Sequence, residues 1–310
     1  MTTDLRLSLK SLRAFVAAVD HGSIAGAAQA LSVAPSAVSA CVDQVEAEMG
    51  AALLIRARSR GVSPTPEGRK LAARFRALLD DYTECLQSGR EAASGLSGAL
   101  RLGYYAPVAP AFLPRILVPL MAEHPALRLD LREYDNESVQ EALLTGQIDL
   151  AICADTDIRP GLVARHLLDL PPYLLVPDGH PLCRAERVAL ADVARHPLVQ
   201  LDRPLSRPYN EALFAQRGYK VNIVARANAT EMVRSLVGAG LGVAVLNMRP
   251  ATAQSYAGDR LRTLRLEPGL PGLALVCARP DTRPRRLVAL AEAALTDWMT
   301  GPQAHALVLA

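Results

Sequence analysis

Between Leu9 and Gly50 the apolar side chains fall at helical spacing three times, with two breaks between, and few folds accommodate that pattern. The first run sets Leu9, Leu12, Phe15, Val16 and Val19 on one face, the i, i+3, i+4 spacing of an amphipathic helix. "HGS" stops it, and Ser23 stands where a hydroxyl can accept a free backbone N–H at the next helix start. The second run, Ile24, Ala27, Ala28 and Leu31, is short. Ser32-Val33-Ala34 makes a tight connection, and Pro35 occupies a helix's first turn, where proline is best tolerated. The third run buries Val38, Val42, Val45 and Met49 and stops at Gly50. Small Ala27 and Ala28 let two short helices cross closely, so the segment reads as a helix-turn-helix. An ordinary three-helix bundle is the alternative these residues leave open.

Next comes "LLIRARSRGVSPT", a hairpin-like excursion in which Arg56, Arg58 and Arg60 alternate. Period 2 puts the three guanidinium groups on one face, where a wing can lie along phosphates. A solvated basic loop is the plainer reading, and the position directly after the third helix argues against it. From Pro66 a long helix carries Leu71, Phe75, Leu78, Tyr82, Cys85 and Gly89 at spacing 4-3-4-3-4. A heptad seam of that length wants a partner helix. Two copies then address two half-sites, the alternative being that the seam covers a neighbouring domain. "GREAASGLSG", residues 89–98, is small enough in composition to be a hinge.

Strand-like and helix-like segments alternate through the remainder. "ALRLGYY", "LRLDLRE", "QIDLAIC", "YLLVP", "PLVQL", "VNIVARA", "VAVLN" and "LALVCAR" read as strands. "ESVQEALLTG", "LADVARH", "YNEALFAQRG", "TEMVRSLVGAG" and "RLVALAEAALTDWM" read as helices, and "VAPAFLPRILVPLMAEH" as one interrupted by proline. Such alternation implies parallel α/β units. With 310 residues and 50% apolar content the chain has room for two or three cored domains. No apolar run reaches the roughly 18 residues of a membrane span, and early charges at Asp4, Arg6, Lys10 and Arg13 interrupt any signal-like segment. The expectation is a cytoplasmic protein without a membrane partner. Five cysteines at wide spacing suit reduced thiols. Cys183, beside Arg184 and Arg187, is the one for which a redox-sensing role is worth testing.

Residues 5–70, "LKSLRAFVAAVDHGSIAGAAQALSVAPSAVSACVDQVEAEMGAALLIRARSRGVSPTPEG" at their heart, resemble the winged helix-turn-helix of the LysR-type transcriptional regulators. "LRLGYYAPVAPAFLP", "LTGQIDLAI" and "VRSLVGAGLGVAVL" extend the resemblance over nearly the whole chain. It implies an α+β multidomain protein: a winged helix-turn-helix at 1–65, a linker and dimerisation helix with hinge at 66–97, and an effector domain at 98–300. The effector domain would be a two-lobed α/β body resembling type 2 periplasmic binding proteins, with its second lobe at about 170–267. Residues 301–310 would be a frayed tail. The implied partners are double-stranded promoter DNA, a small-molecule effector between the lobes, RNA polymerase, and further copies of the chain as homodimer or homotetramer. No cofactor or metal is implied, and no enzymatic activity.

The DNA contacts carried over are Pro35, Ser36, Val38, Ser39, Arg56, Arg58 and Arg60, and the dimer contacts Leu71, Phe75, Leu78, Tyr82 and Cys85. This chain departs from the pattern at Ala34, where a capping Ser or Thr is usual, and at Ala40, where a long polar side chain often enters the groove. Direct base readout should therefore be modest, with grip from the wing and selectivity from half-site spacing and bending.

An effector cleft belongs at the carboxyl ends of strands. Those ends supply Tyr104, Tyr105, Ala106, Pro107, Asn136 and Glu137 in the first lobe, and Asp202, Arg203, Pro204, Ser206, Asn228 and Thr230 in the second. Arg203 is placed to anchor a carboxylate, and Asp202 or Glu137 to hold an amine or ring N–H. That mixed lining leans toward a zwitterionic or heterocyclic metabolite.

Three other classes compete. A solute-binding protein lacks a reason for the ninety-residue helical start. An enzyme on this scaffold lacks a base–nucleophile or metal constellation: His124, His180 and His196 each precede proline without ligand spacing. A structural nucleoid-type protein would ignore metabolites. "GAGLGV", residues 238–243, has the glycines of a dinucleotide loop but follows a helix and precedes a strand, the reverse of what a pyrophosphate needs.

Overall fold

The computed structural model describes residues 7–57, 61–88, 98–105, 107 and 109–308, without the side chains of Ala57, Glu84, Cys85, Gln87, Ser88 and His305. Arg58, Arg60, Ala106, the Cys85 side chain and the hinge residues 89–97 thus lie outside the described part. Two compact units emerge. One holds the residues up to Gly98 with Glu141–Asp149, the other Ala99–Gln140 and Leu150–Ala310.

The first unit opens with α1 (Leu9–His21), α2 (Ile24–Leu31) and α3 (Pro35–Met49). Ser23 caps α2 by accepting from the Gly26 N–H at 2.9 Å, and Ala34 leaves α3 with no side-chain cap. The chain bends by 110° between α2 and α3, within the roughly 90–120° of a helix-turn-helix. Phe15, Ala18, Ala27, Val42 and Val45 fill the core between these helices. Met49, expected inside, is exposed. It is the last residue of α3.

Strands β1 (Leu54–Ala57) and β2 (Gly61–Pro64) pair antiparallel as the wing. Gly61 is fixed by space and by backbone: its φ is +76°, and a Cβ there would lie 2.3 Å from the Gly22 carbonyl oxygen. That carbonyl accepts from the Val62 N–H at 2.8 Å, tying the wing to the end of α1. Helix α4 (Pro66–Ser88) runs for 23 residues, about 34 Å at 1.5 Å per residue.

The seam read along α4 divides in two. Phe75 is buried and meets Phe15 edge-on at 5.9 Å, Ala72 is buried, and Leu71 packs on the same core. Phe75 therefore belongs to this unit's own interior and is not a dimer contact. Farther along, Leu78, Tyr82 and Leu86 are exposed.

The second unit is built on two sheets. Strands β3 (Gly98–Tyr105), β4 (Leu127–Tyr134), β5 (Leu150–Ala154), β6 (Leu162–Leu170) and β13 (Leu273–Pro280) form a sheet ordered β4-β3-β5-β13-β6. Helices α5 (Leu113–Glu123) and α10 (Arg286–Thr300) bury Phe112, Leu117 and Leu295 against it, while α6 (Asn136–Leu144) links β4 to β5. The second lobe holds β7 (Tyr173–Pro177), β8 (Arg187–Val188), α7 (Leu190–Val193), β9 (Pro197–Leu201), α8 (Ser206–Ala215), β10 (Asn222–Ala227), α9 (Thr230–Gly238), β11 (Ala244–Leu246) and β12 (Leu261–Leu266). Its order β11-β7-β12-β8 continues into β9 and β10 through the Leu198–Val243 bridge.

The sheets are mixed rather than parallel. β3 and β5 run parallel, as do β9 and β10, but β13 is antiparallel to both β5 and β6, and β7 to both β11 and β12. Of the antiparallel strands, β6 and β12 escape a reading by pattern. Ala164, Arg165 and His166 in β6 are consecutively exposed, which hides its alternation.

The end of the chain is also packed rather than frayed. α11 (Pro302–His305) follows α10, Ala304 and Leu307 are buried in the first sheet's core, and the Arg249 N–H donates to the Leu307 carbonyl. No single helix among the described residues is long and apolar enough to cross a membrane.

Candidate nucleic-acid interface and effector cleft

On α3, burial at Val38, Val42 and Val45 turns Ser36, Ser39, Ala40 and Asp43 to the other side. Pro35, Ser36 and Ala40 are exposed and Ser39 half-buried. Val38 is 1% exposed, so it belongs to the core and cannot touch DNA. The outward face is short, neutral at its N-terminal end and acidic at Asp43. Ala34 offers no side-chain cap, Pro35 has no N–H to give, and the Ala37 and Val38 N–H groups donate to the Ala34 carbonyl at 3.0 and 3.3 Å.

Arg56 on β1 reaches back to this helix instead of standing free. Its guanidinium donates to Asp43, to Glu46 at 3.2 Å and to the Ser39 hydroxyl at 3.5 Å. The Asp43 hydrogen bond, outweighing partial burial, holds its pKa above the usual arginine value. The second oxygen of Glu46 accepts from the Leu53 and Leu54 N–H groups at 2.7 and 2.9 Å, which docks the wing onto α3. Asp43 and Glu46 look like ordinary helix surface in sequence, and nothing in the spacing identifies their partner.

In the second unit a cleft of about 350 Å³, counting its open mouth, is lined from both lobes. Tyr105 and Pro107 come from the end of β3. Ser206 and Asn210 come from α8, Thr230 from α9, and Leu246, Asn247 and Met248 from the end of β11 and beyond. Of the twelve effector residues read from the sequence, Tyr105, Pro107, Ser206 and Thr230 line this cleft. Asn210 and Asn247 were missed. Asn210 lies inside α8, one turn beyond Ser206.

The two lobes are tied across the cleft. The Tyr105 and Ser206 hydroxyls share a hydrogen bond of 2.7 Å, and burial, partly offset by that bond, pushes the Tyr105 pKa up. Arg203 lies over the Tyr105 ring at 5.8 Å and donates to Asp135 at 3.1 Å, Glu133 at 3.0 Å and the Asn228 carbonyl at 3.3 Å. Arg203 is therefore already neutralised by carboxylates of the first lobe.

Several other sequence candidates prove to be structural. Asn136 is buried, accepting from the Ala154 N–H at 2.8 Å and donating to the Thr156 carbonyl. Asp202 pairs with Arg207 at 3.2 Å. Tyr104 packs on the first lobe's core, and Glu137, Pro204 and Asn228 are exposed and absent from the cleft lining. Asn247 donates to the Leu170 carbonyl at 3.0 Å and to Tyr209 at 2.9 Å, fixing the cleft floor. "GAGLGV" is the end of α9 and the entry to β11, where a Cβ on Gly242 would lie 2.4 Å from the Pro197 carbonyl oxygen.

Comparison with known proteins agrees with both halves. Residues 9–69 match the family model described as bacterial regulatory helix-turn-helix protein, lysR family, and residues 93–299 match that of the LysR substrate binding domain. A probable hydrogen peroxide-inducible genes activator of Streptomyces viridosporus is 29% identical over 273 residues, 87% of each chain. HinK, a LysR family transcriptional regulator from Pseudomonas aeruginosa, is 26% identical with a TM-score of 0.63 over 94% of this chain and 98% of its own. A full-length OxyR variant from the same organism, 21% identical, shares the fold with a TM-score of 0.75 over 94% of both chains. From its helix-turn-helix to its two-lobed domain, the chain belongs to the LysR family of DNA-binding transcriptional regulators.

Proposed function

We propose that this regulator grips promoter DNA through α3 and the wing, as a dimer or tetramer joined along α4, and is switched by a small molecule held between its lobes. The observation that carries the reading is the cleft itself: lined by uncharged side chains, polar and apolar, and closed by the Tyr105–Ser206 and Arg203–Asp135–Glu133 ties from opposite lobes. A ligand that fits one lobe spacing better than another shifts that equilibrium by its difference in affinity, and by no more. The DNA contacts are Pro35, Ser36, Ser39 and Arg56; Arg58 and Arg60, expected from the sequence to join them, lie outside the described residues. The exposed Leu78, Tyr82 and Leu86 on α4 supply the apolar face for a partner helix. RNA polymerase would be reached from this DNA-bound, cytoplasmic assembly.

A footprint on the DNA upstream of the chain's own gene, at several salt concentrations, tests the reading. A long two-part protected region, weakened by salt and in Arg56→Ala, is expected. No protection at low salt there or at other promoters, from folded protein, sinks it.

The peroxide named in several relatives is a second stimulus to weigh, and the two most buried thiols speak against themselves as its sensor. Cys153 and Cys277 lie buried in adjacent strands, and burial pushes both up, Cys153 to about 12. A reactive cysteine needs the opposite, an accessible thiolate. Cys41 and Cys183 are free and half-buried. A footprint unchanged by mild peroxide is the expected result.

A further inference from the structure

Helix α6 begins in the second unit and ends in the first, because Glu141–Asp149 belong to the compact unit of the DNA-binding helices. Its two ends are held by different partners. At the start, Asp135 accepts from Arg203 of the second lobe, and the Asp135 carbonyl accepts from the Val139 N–H at 3.0 Å, which carries that tie into the helix. Asn136 accepts from the Ala154 N–H at 2.8 Å and the Gln140 side-chain carbonyl from the Arg159 N–H at 2.9 Å. These bonds fix the first turns to the end of β5 and the segment after it.

At the far end the chain turns through Gly146, whose φ is +67° and where a Cβ would lie 3.4 Å from the Ala73 Cα, so the turn rests directly on α4. The turn itself satisfies the Leu143 and Ala142 carbonyls, from the Gly146 and Gln147 N–H groups at 3.0 and 2.9 Å. The Thr145 carbonyl accepts instead from the guanidinium of Arg76 on α4. The same guanidinium pairs with Asp20 in the last turn of α1. Arg76 is 7% exposed. A cation so buried depends on its partners, and these are the ends of α1 and α6. A positive group at a helix's carboxyl end also meets a favourable dipole.

We propose that Arg76 is the positioning residue of the switch: α6 carries a change in the Arg203–Asp135 tie to the Thr145 carbonyl, and Arg76 passes it to Asp20 and the helix-turn-helix. This rests on the reading of the cleft as the effector site, and it names the route rather than the ligand. Coupling between two sites is reciprocal, so a break at Arg76 also loosens the tie at Arg203.

Amide hydrogen exchange of the full-length protein, without DNA or ligand, tests the route. Arg203→Ala should speed exchange about fivefold at residues 141–149 and in the last turn of α1. Asp20→Ala cuts the route at its last step and leaves the Arg76–Thr145 bond. In that background Arg203→Ala should still speed residues 141–149 and add nothing in α1. Arg76→Gln should raise exchange at residues 133–135 in the second unit, a response that a purely local role would not give. Arg76→Lys, which keeps the cation, should restore part of that protection. Should Arg76→Gln melt the first unit, the pair of Asp20→Ala experiments decides alone.

An α1 indifferent to Arg203→Ala, or one that responds equally with and without Asp20→Ala, overturns the route. Unchanged exchange at residues 133–135 in a folded Arg76→Gln protein does the same. Neither DNA nor effector enters the measurement, so each of these results leaves the effector-site reading standing, and a failed footprint leaves the route standing.

Discussion

Arg56 in the first unit and Arg203 in the second are held in the same way, each guanidinium between two carboxylates, yet they are different devices. The Arg56 side chain is 42% exposed, and its partners Asp43 and Glu46 sit on the helix it lies against. The Arg203 side chain is 12% exposed, lies over an aromatic ring, and takes its partners from the opposite lobe. Exposed pairs are worth about 0–1 kcal/mol and weaken with salt. Arg56 can therefore leave Asp43 for a phosphate at little cost, so the pair works as a parking place. Charge-assisted hydrogen bonds in a shielded site are worth about 1.5–3 kcal/mol, so Arg203 works as a latch.

The largest effect we expect comes from the residue that separates the two halves of α4. Phe75→Ala should cost about 3–5 kcal/mol and melt the first unit early, leaving the second unit's transition in place. Leu78→Glu with Tyr82→Glu should leave both transitions nearly unmoved while breaking the oligomer in sedimentation. A Phe75→Ala protein that merely dissociates would return Phe75 to the interface. Next, Arg203→Ala should cost the second unit about 2 kcal/mol. In the same melting experiment Arg56→Ala should cost less than about 1 kcal/mol. Equal losses would erase the distinction between latch and parking place.

Smaller again, Asp43→Asn should tighten DNA binding about twofold, because it releases a surface pair worth roughly 0.5 kcal/mol. Weaker binding in that variant would mean Asp43 orients Arg56 for the phosphate. The smallest effect is a pH dependence of the second lobe. Burial first, and His196 at 4.8 Å second, hold His180 below the ordinary histidine pKa of 6.5, and its Nδ1 accepts from the Leu182 N–H. A depressed histidine binds fewer protons folded than unfolded. Its contribution is therefore complete above 6.5 and lost as pH falls through 6.5 toward the folded value. Melting of His180→Gln should lose that slope, and an unchanged slope would place the titration elsewhere.

The α1–α3 pattern was legible because each helix buries one face, and burial writes its period into the chain. Ser23 as cap and Ala34 as a missing cap were legible for the same local reason. Strands β6 and β12 were not. β6 exposes three residues in a row, and β12 has its buried leucines only at its ends. In the cleft, four of the residues picked at strand ends are where they were sought. Asn136 and Arg203 are polar for reasons of structure, and Asn210 was hidden in the middle of a helix.

By itself, then, the order of residues determined the winged helix-turn-helix, the long helix after it, the α/β alternation and, through them, the family. Local periodicity and capping chemistry act over a few residues and can be read without a partner. Tertiary structure alone decided which polar groups remain free for a ligand. Arg203 meets Glu133 across 70 residues of chain, and Tyr105 meets Ser206 across 101. A side chain's type says what it can bond to, and only the packing of distant strands says whether that bond has already been made.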